Sequence, residues 1–318
     1  MLEVIKNLFI LFWQMFRFFL NPFFLIPTGV IILIYIKKYR DYKSGAYYQI
    51  TKAPFISLWR DLGRYGEYLT YKRLKSFEND GAKFLFNVYI PKEDGKTTEI
   101  DVLMINKKGI FVFESKNYSG WIFGNEKQNN WYQTLPKGRG KSHKEHFYNP
   151  IMQNRSHIKH LKAYVGEQIL MHSIIVFSER CTLKNVTVKS NDIYVIKRDQ
   201  VSFVVSNVCK SITEDVLTEN DITNFYNKLY PYTQISNAEK AQHIENIQNI
   251  QNKLMMKRAI TPDETATDVK NKVEKTDDME PDSSASVTNE TNEIQKFELD
   301  DANPLESNQE KCIDIFRK

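Results

Sequence analysis

The chain has 318 residues and a formal net charge of +5, long enough for one medium domain with additions at both ends or for two small domains. Its three cysteines, Cys181, Cys209 and Cys312, are odd in number and lack metal-ligand spacing, which excludes a disulfide framework and a cysteine zinc site and suggests reduced thiols in a cytosolic compartment. Residues 259–318 hold 16 acidic against 7 basic side chains, a balance of −9 that leaves the first 258 residues at +14. A basic body suits a polyanionic partner such as nucleic acid or an anionic membrane surface, and a solvated lysine-rich surface accounts for it equally well.

Residues 8–36 are almost wholly apolar, interrupted by Gln14, Arg17, the Asn21-Pro22 pair and Pro27. The 19 residues from Phe18 to Ile36 carry no charge, which at helical rise nearly spans a hydrocarbon core of roughly 30 Å. The expectation is an N-terminal transmembrane segment, with residues 1–43 as anchor. The prolines leave two forms open, one kinked span or a short interfacial helix at about 3–20 followed by a second apolar piece in a shallow hairpin. A cleaved signal peptide fits less well, for want of a basic leading region and a small-residue cleavage pattern before Lys37. Lys37, Lys38, Arg40 and Lys43 follow the apolar run, so the positive-inside rule puts the rest of the chain in the cytoplasm at the cell membrane.

Leu58, Leu62, Tyr65 and Leu69 predict an amphipathic helix over about 55–77, with Ser57 capping its start. Gly63 and Gly66 within it mark a close approach to neighbouring structure, which would leave Glu67 pointing into a tight place. Lys83 to Ile90 reads as a strand ended by Pro91. A β-hairpin follows, with Ile100–Ile105 and Ile110–Phe113 joined by the turn Asn106-Lys107-Lys108-Gly109.

If Ile105 pairs with Ile110, Asp101 falls opposite Glu114 and Glu99 opposite Lys116. Two carboxylates and an ammonium then meet at one open end, and a divalent metal would relieve the repulsion. A one-residue slip would put Asp101 opposite Ser115 and separate the carboxylates, so the inference depends on register.

Beyond Lys116 the chain predicts a short strand at Trp121–Phe123, then Trp131-Tyr132. Residues 133–147, rich in Lys, Gly, Arg and His, read as a mobile basic loop able to hold phosphates. Aromatic residues between 118 and 132 can stack on bases, although packing around the hairpin is their commoner use. Asn149-Pro150 opens a helix with Gln153 in its first turns. Strands at His172–Phe177 and Tyr194–Ile196 and helices at about 200–211 and 218–230 complete a mixed α/β domain over residues 44–231. Residues 232–258 read as a polar helix and 259–318 as a disordered acidic tail. His143, His146, His157 and His160 invite a metal reading, but no glutamate follows His157 as a zinc helix would need.

Glu67, Asp101, Glu114, Lys116 and Gln153, in this order, form an arrangement that resembles the PD-(D/E)xK nuclease superfamily and, within it, the nuclease-related domain, NERD. The resemblance rests on GRYGE at 63–67, EID at 99–101, GIFVFESKNYSG at 109–120, Trp131 and NPIMQ at 149–153, and covers about residues 57–178. It implies a mixed sheet flanked by helices with a restriction-endonuclease-like core, and metal-dependent hydrolysis of phosphodiester bonds in nucleic acid, DNA more than RNA. Asp101 and Glu114 would bind Mg²⁺ or Mn²⁺, with Glu67 completing the shell directly or through water. Lys116 would orient or help deprotonate the attacking water and stabilise charge on the phosphorane. Gln153 would position water, metal or phosphate. The first acid stands in EID rather than PD, a variation that leaves the geometry intact.

Enzymes of this type that cut both strands often act as dimers, so a homodimer is the matching expectation. Taken singly, each residue also has an ordinary role: Glu114 and Lys116 as an exposed charge pair, Glu67 and Gln153 as solvated helix residues. Two other functions stay open. One is a non-catalytic module on the same fold that tethers nucleic acid or a protein to the membrane, and the other is an assembly protein working through residues 234–318.

Overall fold

The computed structural model describes residues 1–246 apart from 20, 93, 139, 140, 237 and 244. Residues Met1–Ile235 form one compact unit, and Ser236 begins a second. Most of the polar helix expected over 232–258, and all of the expected tail at 259–318, lies outside the described residues.

Two helices open the chain, α1 (Leu2–Phe19) and α2 (Pro22–Ser44). Asn21 separates them, its side chain accepting the Phe23 N–H at 2.9 Å, and Pro22 occupies the first helical position where a missing N–H costs nothing. The apolar run is thus two helices. Among the described residues α2 alone is long and apolar enough to cross a membrane. Its last turn belongs to the domain: Tyr42 is buried and donates its hydroxyl to the Ala53 carbonyl at 2.7 Å.

Short helices α3 (Ala46–Thr51), α4 (Phe55–Arg60) and α5 (Leu62–Leu74) follow. The single helix expected over 55–77 is therefore two, because Asp61 takes extended backbone (φ −112°, ψ 103°) and caps α5 by accepting the Gly63 and Arg64 N–H groups at 3.0 and 3.1 Å. Ser57 caps nothing and instead donates to the Pro54 carbonyl. Phe55 packs its ring on Tyr35 and Tyr39 of α2.

The remaining elements are β1 (Lys83–Pro91), β2 (Thr97–Asn106), β3 (Gly109–Lys116), β4 (Gly120–Asn125), β5 (Asn130–Pro136), β6 (Ser142–Tyr148), α6 (Pro150–Val165), β7 (Met171–Phe177), β8 (Cys181–Thr187), β9 (Ile193–Lys197), α7 (Val201–Ser211) and α8 (Glu219–Leu229). They build two sheets, ordered β1-β2-β3-β7-β9 and β6-β5-β4-β8. In the first, β1, β2 and β3 run antiparallel while β3, β7 and β9 run parallel. Central β3 is buried from Gly109 through Glu114, as expected of a strand covered on both faces.

Alternation along β3 sorts its end by face. Glu114 and Lys116 turn toward α6, where His157 and Gln153 meet them. Ser115 and Asn117 turn toward α5, where a Cβ added to Gly66 would lie 2.9 Å from Asn117 Cβ. That contact is the close approach signalled by the helix glycines. The hairpin register is the one the turn predicts, with Ile105 on Ile110, but the β2–β3 ladder closes at Val102–Phe113, one pair short of the acids.

Residues 133–147 are not a mobile loop: leaving aside 139 and 140, they lie mainly in β5 and β6, paired from Asn130–Tyr148 to Pro136–Ser142. Strand β6 is polar or exposed at nearly every position, so no apolar alternation betrays it, and its backbone is satisfied by β5 instead. The unexpected strand β8 pairs with β4 for the same reason. Under this sheet Trp131 stacks on Phe177 of the first sheet (centroids 6.1 Å, planes within 1°), with Ile122 and Ile151 beside them. Gly124 makes that possible, since a Cβ there would fall 2.3 Å from the Trp131 ring.

Glu126, in the turn after β4, ties this sheet to its neighbours. It accepts the Ser190 hydroxyl, the Lys189 and Ser190 N–H groups at 2.7 and 3.0 Å, and the Arg155 guanidinium of α6. These bonds, that from Ser190 foremost, hold its carboxyl down at about 2 against an ordinary 4.5. A depressed acid stabilises the folded chain above its unfolded pKa, and that contribution is lost as pH falls through the folded value. Glu126→Gln should therefore lower the melting temperature at pH 7 and flatten its decline between about pH 5 and pH 2, read from thermal denaturation across pH.

Candidate functional site

The site forms where β3 and its hairpin partner β2 part, beyond the Val102–Phe113 pair. Glu114, 1% exposed, receives the Lys116 ammonium on Oε1 at 2.6 Å and His157 Nε2 on Oε2 at 3.0 Å. Lys116 also donates to Gln153 Oε1 at 3.0 Å. Gln153 and His157 stand four residues apart on α6, so one helix face supplies both. Behind His157, its Nδ1 lies 2.6 Å from Thr98 Oγ1, which holds the ring in place.

Electrostatics follows from these contacts. Burial works to raise the Glu114 pKa, but the Lys116 charge and the His157 hydrogen bond outweigh it and keep the carboxyl below its ordinary value. For Lys116, burial pulls downward while Glu114 more than compensates, so its pKa is raised. The pair is ionised as a unit.

A second cluster surrounds Glu67 on α5. Glu67 accepts from Tyr47 at 3.2 Å and from Asn87 Nδ2 at 3.1 Å, and the same Asn87 amide donates to Glu99 at 3.2 Å. Glu99 is further held by the Tyr89 hydroxyl at 2.7 Å. The expected Glu99–Lys116 ladder pair does not form, because the β2–β3 ladder ends at Val102–Phe113, while Glu99 keeps its register on Tyr89 of β1. Asn87 has φ +50° and drops out of the β1–β2 ladder opposite Asp101. Asparagine tolerates this left-handed backbone better than other residues with a Cβ, and the kink aims its amide between two carboxylates.

Asp101 stands between the clusters. Its Oδ2 accepts the Ser115 N–H at 2.8 Å, where the next ladder pair would have been. Burial, then the charges of Glu114 and Glu67, push its carboxyl well above the ordinary range. The structure thus joins Glu114, Lys116 and Gln153 directly and sets Asp101 beside them, while Glu67 belongs to the neighbouring Asn87–Glu99 cluster.

Among the described residues no three His, Cys, Asp or Glu side chains come close enough together to hold a metal ion. The donor chemistry nonetheless fits a hard divalent cation. Mg²⁺ commonly uses one or two carboxylates and fills its other positions with water and phosphate oxygens, and Asp101 with Glu114 are such a pair.

Sequence reasoning weighed His157 only as a metal ligand and set it aside, and it passed over Asn87, Tyr47 and Thr98. His157 had a legible signal, four residues after Gln153 on the same helix face. The others had none, because their roles depend on a strand kink and on helices from distant parts of the chain.

This geometry, a mixed sheet with carboxylates and a lysine at the open end of its central strand, defines a nuclease-like fold. Residues 62–178 match the nuclease-related domain, NERD. Over 190 residues the chain is 30% identical to an uncharacterized protein of Bacillus anthracis, an alignment spanning 60% of this chain and 84% of that relative. The chain belongs to the NERD family. No solved structure matches it.

Glu67 supplies a pH test of the site. Burial first, then the charge of Glu99, raise its carboxyl to about 8 against the hydrogen bonds from Asn87 and Tyr47. The folded chain therefore keeps a proton that the unfolded chain loses near 4.5, and stability falls as pH rises between the two values. In EDTA, Glu67→Gln should remove that fall, melting above the parent chain at pH 9 and close to it at pH 5.

Proposed function

We propose that the chain is a membrane-anchored nuclease that hydrolyses phosphodiester bonds in nucleic acid, DNA before RNA, with its domain on the cytoplasmic side. The observation that carries this reading is the meeting of Glu114, Lys116 and Gln153 beside Asp101 at the end of β3. Membership of the NERD family supports it, and so does α2, whose apolar length is followed by Lys37, Lys38, Arg40 and Lys43.

Asp101 and Glu114 would hold Mg²⁺ or Mn²⁺, with Glu67 acting on them from the adjacent cluster. Bound there, the cation would neutralise phosphate repulsion and lower the pKa of a ligated water. Lys116, fixed by Glu114, presents a positive charge where negative charge grows on the phosphorane, and its bond to Gln153 sets the ammonium's direction. Gln153 keeps its amide N–H₂ group for water or a phosphate oxygen. His157 acts through Glu114, fixing the carboxylate so that its lone pairs keep one orientation.

One observation favours a second reading, a module that binds nucleic acid without cutting it: both Glu114 oxygens are already engaged, and no third ligand joins the pair among the described residues. Cleavage decides between them. The full chain in detergent should cut circular or linear DNA with Mg²⁺ or Mn²⁺ and not with EDTA. Glu114→Gln and Lys116→Met should each slow cutting by about 100-fold or more while leaving binding within a few-fold. Salt-sensitive binding with no cleavage in either metal would establish the second reading.

A further inference from the structure

We propose that the solvent face of the second sheet is a stacking platform for single-stranded nucleic acid. This inference rests on the reading of nucleic acid as the chain's partner and adds the form in which the strand is held. The sheet has two unlike faces. Its inner face spends Trp131, Phe147 and Ile122 on the core. The outer face carries Trp121, Phe123, Tyr132 and Tyr148, none of which the core requires.

Trp121 is 52% exposed and Tyr148 51%. Phe123 and Tyr132, paired across β4 and β5, lie with centroids 4.8 Å apart and planes within 10°. The four rings therefore share one face of the sheet, with Trp121 two residues before Phe123 on β4 and Tyr148 two residues after His146 on β6.

Cations accompany them. Lys144 places its ammonium 3.6 Å from the centre of the Tyr132 ring, and Lys184 lies 5.8 Å from that of Trp121. His146 is registered on Tyr132 from the other side. Glu145 is the sole acidic residue in the four strands, and it is registered on Gln133 of the inner face, whose amide it accepts. Exposed rings among lysines, with no carboxylate on the same face, match bases and phosphates together. An apolar protein partner would need no such lysines, and an acidic peptide would not need the rings.

The ligand is a single strand because base faces are closed to side chains within a duplex. The platform is also close in the chain to the site at both ends. Strand β4 starts at Gly120, shortly after Lys116, and β6 ends at Tyr148, immediately before the Asn149-Pro150 start of the helix that bears Gln153. A strand on the platform thus lies on elements that run directly into the site.

The test uses the full chain in detergent with EDTA, so that binding is read without cleavage. Anisotropy of labelled oligo-dT and of a duplex of equal length should show the single strand held more tightly. Trp121→Ala and Tyr148→Ala, both at exposed positions, should each weaken oligo-dT binding by about 5- to 100-fold and leave the duplex unchanged, whereas Trp121→Phe should keep most of the affinity. Lys144→Glu should reduce the salt dependence of binding. Unchanged oligo-dT affinity in the alanine variants, a preference for duplex, or no binding of nucleic acid at all would each overturn the proposal. The two readings fail separately: aromatic-dependent binding without cleavage in metal would leave the platform standing and remove the nuclease, and cleavage unaffected by the alanine variants would do the reverse.

Discussion

A carboxylate buried at the end of the central strand must be neutralised where it stands, and the contacts that neutralise Glu114 organise the rest of the site. Lys116 reaches it from two residues along β3, and His157 reaches it from α6. Removing one partner of such a buried pair leaves a charge without compensation, an effect of about 3–5 kcal/mol. The start of α6 is set to match. Asn149 accepts the Ile151 N–H at 2.9 Å and donates to three carbonyls of the β4–β5 turn, so the register that brings Gln153 and His157 to β3 is fixed from outside the site.

Asp101 shows how a sheet can hold charge apart without losing its order. The hairpin closes one pair early, and the Asp101 carboxylate takes over a backbone N–H that the ladder leaves unpaired. On its other side β1 gives up its own pairing at Asn87, whose amide then bridges Glu67 and Glu99. Both concessions fall at the same level of the sheet. A regular three-strand ladder there would set like charges directly across from one another, which sheets disfavour.

Three strands of the second sheet, β4 to β6, are inserted between β3 and α6, the two elements that carry the site, and β8 joins them from beyond β7; the sheet shares a small core with the first through Trp131 and Phe177. Its inner face is committed to that packing, and the outer face is free to meet a ligand. At the opposite end of the chain, the last turn of α2 is built into the domain by Tyr42, so helix and domain hold a defined relation through Phe55, Tyr35 and Tyr39.

What could be read from the sequence was whatever depends on local pattern. The hairpin register followed from a four-residue turn with a glycine, the cap of α6 from Asn149-Pro150, and the buried strands from their apolar runs. The convergence of Asp101, Glu114 and Lys116 at one end of the hairpin was legible in its register. Strands β6 and β8 were not, because a polar strand is stabilised by its partner's backbone and leaves no hydrophobic period. The break at Asp61 was hidden because a capping aspartate competes with helix continuation, and the apolar spacing runs through both segments. The partnership of Glu67 with Asn87, of His157 with Glu114 and Thr98, and the division of the aromatic residues between an inner and an outer face were decided by tertiary structure alone. Each depends on which residues from separate parts of the chain share one small volume, and burial there sets both their charges and their contacts.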